Sequence, residues 1–314
     1  MSCLRRLSLA LSFLASLVLI APSCGGVSTE QPAGPAVVAS PPAKAADPVP
    51  FPNADGSLKF LALGDFGTGE APQFELVRQM TALLQRFKYE LVITLGDNIY
   101  GSNNAQTYRT KFEVPYKPLL DAGVKFRASL GNHDNPGSQA KYELFGMDGQ
   151  RFYSFKAPKQ NVRFFALESS YPSDAQLAWL EKELKSSTDE WKIAYFHHPL
   201  YSSARHHGST DSLRRRLEPL FVRYNVSVVM TGHDHTYERT KPQQGIVHFV
   251  AGSGGKLRKG DLNRRSPFFE AGYDADLAFL ACEIQGDNMF FQAISRTGAI
   301  VDSGVVIRRK EPAQ

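Results

Sequence analysis

The sequence predicts an α/β fold with one large folded domain, and three observations support this. Short apolar runs of strand length alternate with segments whose apolar residues recur at three- and four-residue spacing, which favours a largely parallel sheet. Most of these runs end in a motif that contains Gly, Asp, Asn or His. The last three apolar runs are separated only by turn pairs, which is typical of an antiparallel meander.

The N-terminal segment, 1–23, is typical of an export signal. Arg5 and Arg6 precede an apolar run at 7–20, which is too short to span a bilayer as a helix. The arginine pair fits either an ordinary basic start or twin-arginine export. Cys24 follows the run, so both lipid attachment at Cys24 and free secretion stay open. We therefore expect an exported protein, periplasmic or on the cell surface.

Residues 24–56 are rich in Pro, Ala, Gly and Ser and show no apolar period, which predicts a tether. The domain is predicted at 57–310. Of the three cysteines only Cys282 lies within it, so the domain has no internal disulfide and its stability rests on its core and on any bound metal. The net charge of +5 is a mild bias toward anionic ligands and no signature of nucleic-acid binding.

Each element follows from the apolar pattern. The strands of the alternating part are predicted at Leu58–Leu63, Leu91–Leu95, Phe126–Leu130, Val162–Leu167, Ile193–Phe196 and Val226–Met230. The helices between them are predicted at Pro72–Phe87, Gln106–Ala122, Asp174–Leu184 and Asp211–Tyr224. The meander is predicted at Phe279–Ile284, Met289–Ile294 and Val301–Ile307.

Oxygen donors follow the first three predicted strands. Asp65 and Asp97 each come after a glycine at a strand end, and Asn132 stands in Gly-Asn-His-Asp at 131–134. Ligands bind beyond the carboxyl ends of parallel strands, where these motifs lie. Carboxylate and amide oxygens suit hard cations, and a carboxylate can bridge two metal ions.

Imidazoles follow the later strands. The chain has eight histidines, and six of them stand in motifs: His133, His197, His206, His207, His233 and His235. His233 and His235 are two residues apart, so in an extended segment their side chains share one face. Together with the oxygen donors upstream, these histidines predict one dinuclear metal centre.

The order and content of these motifs, from Asp65 to about Gly255, resemble the calcineurin-like metallophosphatases and, within them, the purple acid phosphatases. The resemblance implies a four-layer α/β/β/α sandwich of two mixed sheets flanked by helices. It implies two sets of metal ligands joined by Asp97 as a bridging carboxylate. The first metal would be bound by Asp65, Tyr100 and His235, and the second by Asn132, His197 and His233.

One substitution separates this chain from most members of that superfamily. Their first motif is Asp-x-His, but Gly67 stands where that histidine would be, and Tyr100 lies three residues after Asp97. Phenolate suits ferric iron. The resemblance therefore implies Fe(III) in the first site and a divalent Zn, Fe or Mn ion in the second. The sequence Gly-Asp-Asn-Ile-Tyr resembles the mammalian form, whereas the His206-His207 pair and 236–239 resemble the plant form.

The activity implied by the resemblance is hydrolysis of phosphate monoesters by in-line attack of hydroxide held by the metals. His133 would contact the phosphoryl group, and His206 or His207, not assigned separately, would protonate the leaving group. A phosphodiesterase or nucleotidase on the same centre is the near alternative. A non-catalytic surface lipoprotein that binds metal or phosphate is the distant one. The substrates expected are small phosphorylated molecules and no nucleic acid, and the oligomeric state stays open.

Four further features carry expectations. His198 and His248 are interpreted as structural residues. Asp134 is expected to orient a neighbouring imidazole, as carboxylates beside metal ligands do. The glycine-rich segment 252–255 is either a loop of the active site or a plain turn.

Overall fold

The computed structural model describes residues 47–310. The predicted signal at 1–23, Cys24 and most of the predicted tether lie outside this range and stay predictions. Among residues 47–310, no helix is both long and apolar enough to cross a membrane. The chain already contacts the folded part before residue 57, since the amides of Asn53 and Ala54 donate to the Glu283 carboxylate at 2.9 and 2.8 Å.

Two mixed sheets form the centre of the described structure. The first has the order β13-β12-β11-β1-β2-β3 and the second the order β10-β8-β9-β7-β6-β5-β4. The strands are β1 Leu58–Leu63, β2 Leu91–Leu95, β3 Lys125–Ser129, β4 Tyr153–Lys156, β5 Val162–Ala166, β6 Trp191–Tyr195, β7 Val228–Thr231, β8 Tyr237–Thr240, β9 Val247–Ala251, β10 Phe269–Tyr273, β11 Ala278–Gln285, β12 Asn288–Ser295 and β13 Ile300–Ile307.

Helices flank the sheets on their outer faces. They are α1 Ala71–Phe87, α2 Ala105–Tyr108, α3 Val114–Asp121, α4 Pro136–Gln139, α5 Asp174–Ser186 and α6 Asp211–Arg223. On the second sheet, Leu180 of α5 and Leu217 of α6 belong to the same buried cluster as Phe165 and Phe196. Between the sheets, the rings of Phe60 and Phe164 meet edge to face at 5.2 Å. The four-layer sandwich of two mixed sheets flanked by helices is therefore confirmed.

The predicted elements largely correspond to observed ones. β1 and β2 have the predicted bounds, and the meander β11-β12-β13 is antiparallel as expected. The parallel pairs are β1–β2, β2–β3, β5–β6, β6–β7 and β7–β9. The sequence pattern missed β4, β8, β9 and β10, and antiparallel pairs of these strands are what make the second sheet mixed.

The helix predicted at 106–122 is divided in the structure. A π-helical turn at Arg109–Glu113 separates α2 from α3, and Pro115 lies in the first turn of α3. Proline has no N–H, and its ring crowds the carbonyl four residues earlier, here that of Lys111. The side chain of Gln73 in α1 donates to the Lys111 carbonyl at 2.8 Å. This carbonyl therefore has a hydrogen-bond partner although Pro115 cannot donate to it.

Candidate metal centre

The loops after β1, β2 and β3 of the first sheet meet the loops after β6 and β7 of the second. Because these strands are parallel within each sheet, their carboxyl ends lie at one edge. All seven residues predicted as metal ligands lie in these loops: Asp65, Asp97, Tyr100, Asn132, His197, His233 and His235.

Three of them converge on one point. The Tyr100 hydroxyl donates to Asp65 Oδ1 at 3.1 Å and lies 3.3 Å from His235 Nε2. His235 Nε2 is 3.4 Å from Asp65 Oδ1. The structure therefore brings together the three donors that the resemblance assigns to the first metal.

The other four form a second cluster around His197. Its Nε2 lies 3.0 Å from Asn132 Oδ1, 3.2 Å from His233 Nδ1 and 3.5 Å from Asp97 Oδ1. The Nδ1 of His197 lies 2.8 Å from the Leu95 carbonyl oxygen. Only a protonated Nδ1 can donate a hydrogen bond to that oxygen, so the neutral ring carries its lone pair on Nε2, which points into the cluster.

The two clusters overlap. Ligand atoms of Asp65, Asp97 and His197 all lie within 4.8 Å of one another. Asp97 is thus within 4.8 Å of a donor of the first cluster, Asp65, and of a donor of the second, His197. This is the place that a bridging carboxylate would need.

The titration behaviour of the cluster fits bound cations. Burial, and then the Asp97 charge, holds the pKa of Asp65 well above its usual value, and burial also raises the pKa of Asp97. Burial lowers the pKa of His197 well below its usual value, and burial together with neighbouring imidazoles lowers that of His233 to about 2. Cations at this point would stabilise the carboxylates and would bind the neutral imidazoles, so the residues present fit a metal centre.

Glycines make room for these side chains. A Cβ at Gly131 would lie 2.1 Å from Asp97 Oδ1, and one at Gly232 would lie 2.5 Å from Asp65 Oδ2. A Cβ at Gly67 would lie 1.8 Å from the Asn98 carbonyl oxygen. A histidine at that position would not fit the backbone of this chain, which is consistent with the resemblance, in which Tyr100 takes its place.

Asp134 does not have the contacts we expected. Its carboxylate accepts hydrogen bonds from the backbone amides of Asn98, Ile99 and Gly131 at 2.8 to 3.1 Å, and from the side chains of Asn98 and Gln139. The expectation that it orients an imidazole is therefore wrong. It ties together the two loops that carry Asp97 and Asn132.

The three histidines predicted to meet the substrate lie at the rim. The His133 amide donates to Asp97 Oδ1 at 2.9 Å, and its side chain is 57% exposed. The His207 ring lies 4.2 Å from that of His233, and the His206 ring lies 4.3 Å from His207. All three therefore flank the clusters without belonging to either.

Sequence reasoning missed two parts of the surroundings. His198, interpreted as structural, has its ring 4.3 Å from His233 and its Nδ1 2.9 Å from Ser169 Oγ. The segment 252–255 is no plain turn, because Gly254 N donates to the Gly64 carbonyl at 3.0 Å. No motif signals the contact with Ser169, which depends on how β5 lies beside β6.

Comparisons with known proteins agree with this geometry. Residues 58–237 match the calcineurin-like phosphoesterase family. The chain is 25% identical over 308 residues to tartrate-resistant acid phosphatase type 5 of Homo sapiens, covering 82% of this chain and 94% of that protein. It is 28% identical over 243 residues to purple acid phosphatase 17 of Arabidopsis thaliana, covering 67% and 72%.

A solved structure is similar as well. Purple acid phosphatase PPD1 from yellow lupin seeds superposes with a TM-score of 0.68 at 22% identity, covering 82% of this chain and 55% of that one. At this identity the superposition supports the fold alone. The family match, in contrast, spans more than half of the sequence, so the chain belongs to the calcineurin-like phosphoesterases and is a metal-dependent phosphoester hydrolase.

Proposed function

We propose that this chain is an acid phosphatase that hydrolyses phosphate monoesters at a dinuclear metal centre. The observation that carries the proposal is the convergence of seven nitrogen and oxygen donors in two clusters that share Asp97, with a phenol in one of them. The named relatives, which are acid phosphatases, support it.

We assign the ligands as follows. Asp65, Tyr100 and His235 would hold Fe(III), and Asn132, His197 and His233 would hold a divalent Zn, Fe or Mn ion. Asp97 would serve as a ligand shared by the two sites. Bound metals supply Lewis acidity and a nucleophile available in acid. Burial, and then the charges of Asp65 and Asp97, raise the pKa of Tyr100, so a cation at this point would be needed for the phenol to lose its proton.

The remaining steps belong to side chains at the rim. His133 is fixed beside Asp97 by its own amide and extends into solvent, where it would bind the phosphoryl oxygens. His206 and His207 lie on the His233 side, where one of them donates a proton to the leaving alkoxide.

Metal content, colour and substrate preference together test the proposal. Natively purified protein should contain two metal ions per chain, one of them iron, and should be purple or pink from charge transfer between Tyr100 and ferric iron. Tyr100→Phe should bleach the colour and Tyr171→Phe, at an exposed tyrosine, should not. A colourless wild type that is fully active with zinc or manganese alone would refute the iron assignment.

Faster hydrolysis of a diaryl phosphate than of an aryl phosphate would refute the monoesterase and favour the phosphodiesterase.

We also propose that residues 1–23 direct export, with the mature chain starting at or near Cys24 and lipid attached there. The basic start, the short apolar run and the cysteine that follows it support this. Mass spectrometry of the mature N-terminus tests it. An unmodified terminus downstream of Cys24 would exclude the lipid while leaving secretion intact.

A further inference from the structure

Two cations, Lys256 and Arg258, lie at the edge of the metal centre. Their backbone is tied to the ligand loops, because Lys256 N donates to the Asp65 carbonyl and Arg258 N to the His235 carbonyl, both at 3.0 Å. Lys256 Nζ lies 5.0 Å from the centre of the Tyr100 ring. Their distance from the site is therefore set by the same loops that hold the ligands.

The backbone bonds place the two cations on different sides of the site. Lys256 is joined to Asp65, a donor of the first cluster. Arg258 is joined to His235, two residues after His233, and the His233 ring lies 4.2 Å from that of His207. The backbone of Arg258 therefore lies on the His207 side, where the leaving group would depart.

Neither cation has an anionic partner within residues 47–310. Both are partly buried, yet no carboxylate lies within 4.0 Å of either one. Arg296, which is also partly buried, in contrast pairs with Asp276 at 2.8 Å. Partly buried charges without a partner are unfavourable, and a bound anion would compensate them.

In the proposed function, the metal centre and His133 would bind the scissile phosphate, so Lys256 and Arg258 are left without a role there. We propose that Lys256 and Arg258 form a second anion subsite, which selects phosphate monoesters whose leaving group carries an additional carboxylate or phosphate. This inference rests on the proposed phosphatase function. It would make the pair a determinant of specificity, with each cation forming a charge-assisted hydrogen bond to the second anion.

Binding of non-hydrolysable phosphonates to the metal-loaded protein tests the subsite without relying on turnover. The probes are phenylphosphonate, 4-carboxyphenylphosphonate and 1,4-phenylenebisphosphonate, measured by calorimetry. The variants are Lys256→Gln, Arg258→Gln and both together. The matched control is Lys259→Gln, which removes an exposed charge that acts on Asp276 instead.

We expect wild type to bind at least one doubly anionic probe about tenfold more tightly than phenylphosphonate, the value of one charge-assisted bond. The double variant should lose this advantage, while its affinity for phenylphosphonate falls by no more than about threefold. If only 4-carboxyphenylphosphonate binds more tightly than phenylphosphonate, the second anion is a carboxylate. If only the bisphosphonate does, the second anion is a phosphate. Either result supports the subsite.

Three outcomes would overturn the inference: no advantage in wild type, equal losses for all probes in the double variant, or the same loss in Lys259→Gln. A parallel measurement of kcat/KM on phenyl phosphate and 4-carboxyphenyl phosphate separates the two proposals. If neither ester is hydrolysed but the binding advantage exists and depends on Lys256 and Arg258, the phosphatase function fails and the subsite stands.

Discussion

The two sheets contribute chemically different halves of the centre. The oxygen half, from the loops after β1, β2 and β3, consists of Asp65, Asp97, Tyr100 and Asn132. The nitrogen half, from the loops after β6 and β7, consists of His197, His233 and His235. Each half is one sheet's edge, so the site is complete only when the two sheets are packed together.

The halves are also held in different ways. In the oxygen half, glycines and Asp134 fix the backbone around the carboxylates, and Asp65 and Asp97 adopt left-handed φ angles of 57° and 51°. In the nitrogen half, the rings of His197 and His233 meet edge to face at 4.9 Å, and His197 bonds to Leu95 of the opposite sheet. His233 of the nitrogen half also has a left-handed φ, of 70°, so backbone strain is common to both halves. The oxygen half differs in the Asp134 carboxylate, which bonds the loops that carry Asp97 and Asn132 to each other.

Burial acts on the two halves with opposite sign. In the metal-free protein, burial raises the pKa of the carboxyls, so protonation in acid does not oppose the native form of the oxygen half. Burial lowers the pKa of the imidazoles, so protonation in acid opposes the native form of the nitrogen half. One fold thus places acid-tolerant carboxyl groups and acid-sensitive imidazoles around the same point.

The largest effect is expected from removing a donor shared by both clusters. Asp97→Asn should lower kcat/KM roughly a thousandfold, about 4 kcal/mol of transition-state stabilisation, and should reduce the content of both metals. His233→Gln, at the edge of the nitrogen half, should lose mainly the second metal and keep the colour of the first. Elemental analysis and absorbance spectra provide the measurement. Equal metal loss in the two variants would show that the halves do not bind separately.

The next effect concerns how each half is anchored. Both oxygens of Asp134 accept hydrogen bonds from N–H groups. In Asp134→Asn the side-chain NH2 group would therefore have to face N–H donors on one side or the other. We expect this to cost about 3 kcal/mol of the free energy of unfolding. Glu238, which holds the loop before the His206-His207 pair, uses only Oε2, and its Oε1 has no partner. In Glu238→Gln the side-chain NH2 group can take the place of Oε1 without facing a donor. We therefore expect a loss of only about 1 kcal/mol in the free energy of unfolding.

Denaturant unfolding of both variants, with their metals removed, measures these values. A cost for Glu238→Gln equal to that of Asp134→Asn would contradict the view that the oxygen half is the more tightly anchored. Because each substitution removes one carboxylate and keeps its shape, differences in side-chain volume do not enter the comparison.

The sequence predicted the donors better than it predicted their support. Asp65, Asp97 and His197 stand in motifs that follow strongly apolar strands, so their convergence could be inferred from strand direction alone. The bonds of Asp134, and the cations Lys256 and Arg258 beside the ligands, depend on loops far apart in the chain that meet only after packing. The short strand β8 was missed for a related reason, since Tyr237–Thr240 is largely polar in sequence.

A smaller effect is expected at the rim of the nitrogen half. Replacing both His206 and His207 by alanine should lower kcat about a hundredfold on alkyl phosphates, which need a proton on the leaving oxygen, and less than about threefold on 4-nitrophenyl phosphate. Burial, and then the His206 and Arg258 charges, lower the pKa of His207, so its protonated form is lost as pH rises, beginning below the usual histidine range. The alkyl-phosphate activity of wild type should therefore peak in acid.

Profiles of kcat against pH for both substrates, in wild type and double variant, test this role. The acid-side preference on alkyl phosphates should disappear in the double variant. An alkaline optimum, or equal losses on the two substrates, would refute proton donation by this pair.

The smallest effect isolates the acid sensitivity of buried imidazole from metal binding. His248 on β9 belongs to the same sheet as the nitrogen half, is buried beside Tyr201, and has no hydrogen-bond partner on either ring nitrogen. Burial, with a contribution from Arg214, lowers its pKa to about 3. Between about pH 6.5 and pH 3, the unfolded chain therefore binds a proton that the native protein does not, and stability falls as the pH falls. From pH 7 to pH 5 this one group should lower the free energy of unfolding by about 2 kcal/mol.

In His248→Leu, which keeps an apolar side chain there, the fall in the free energy of unfolding over the same interval should be smaller by that amount. Both proteins are stripped of metal first, so that the titration of His197 and His233 contributes equally and cancels. If the two proteins lose the same stability between pH 7 and pH 5, burial of imidazole is not what makes this sheet sensitive to acid.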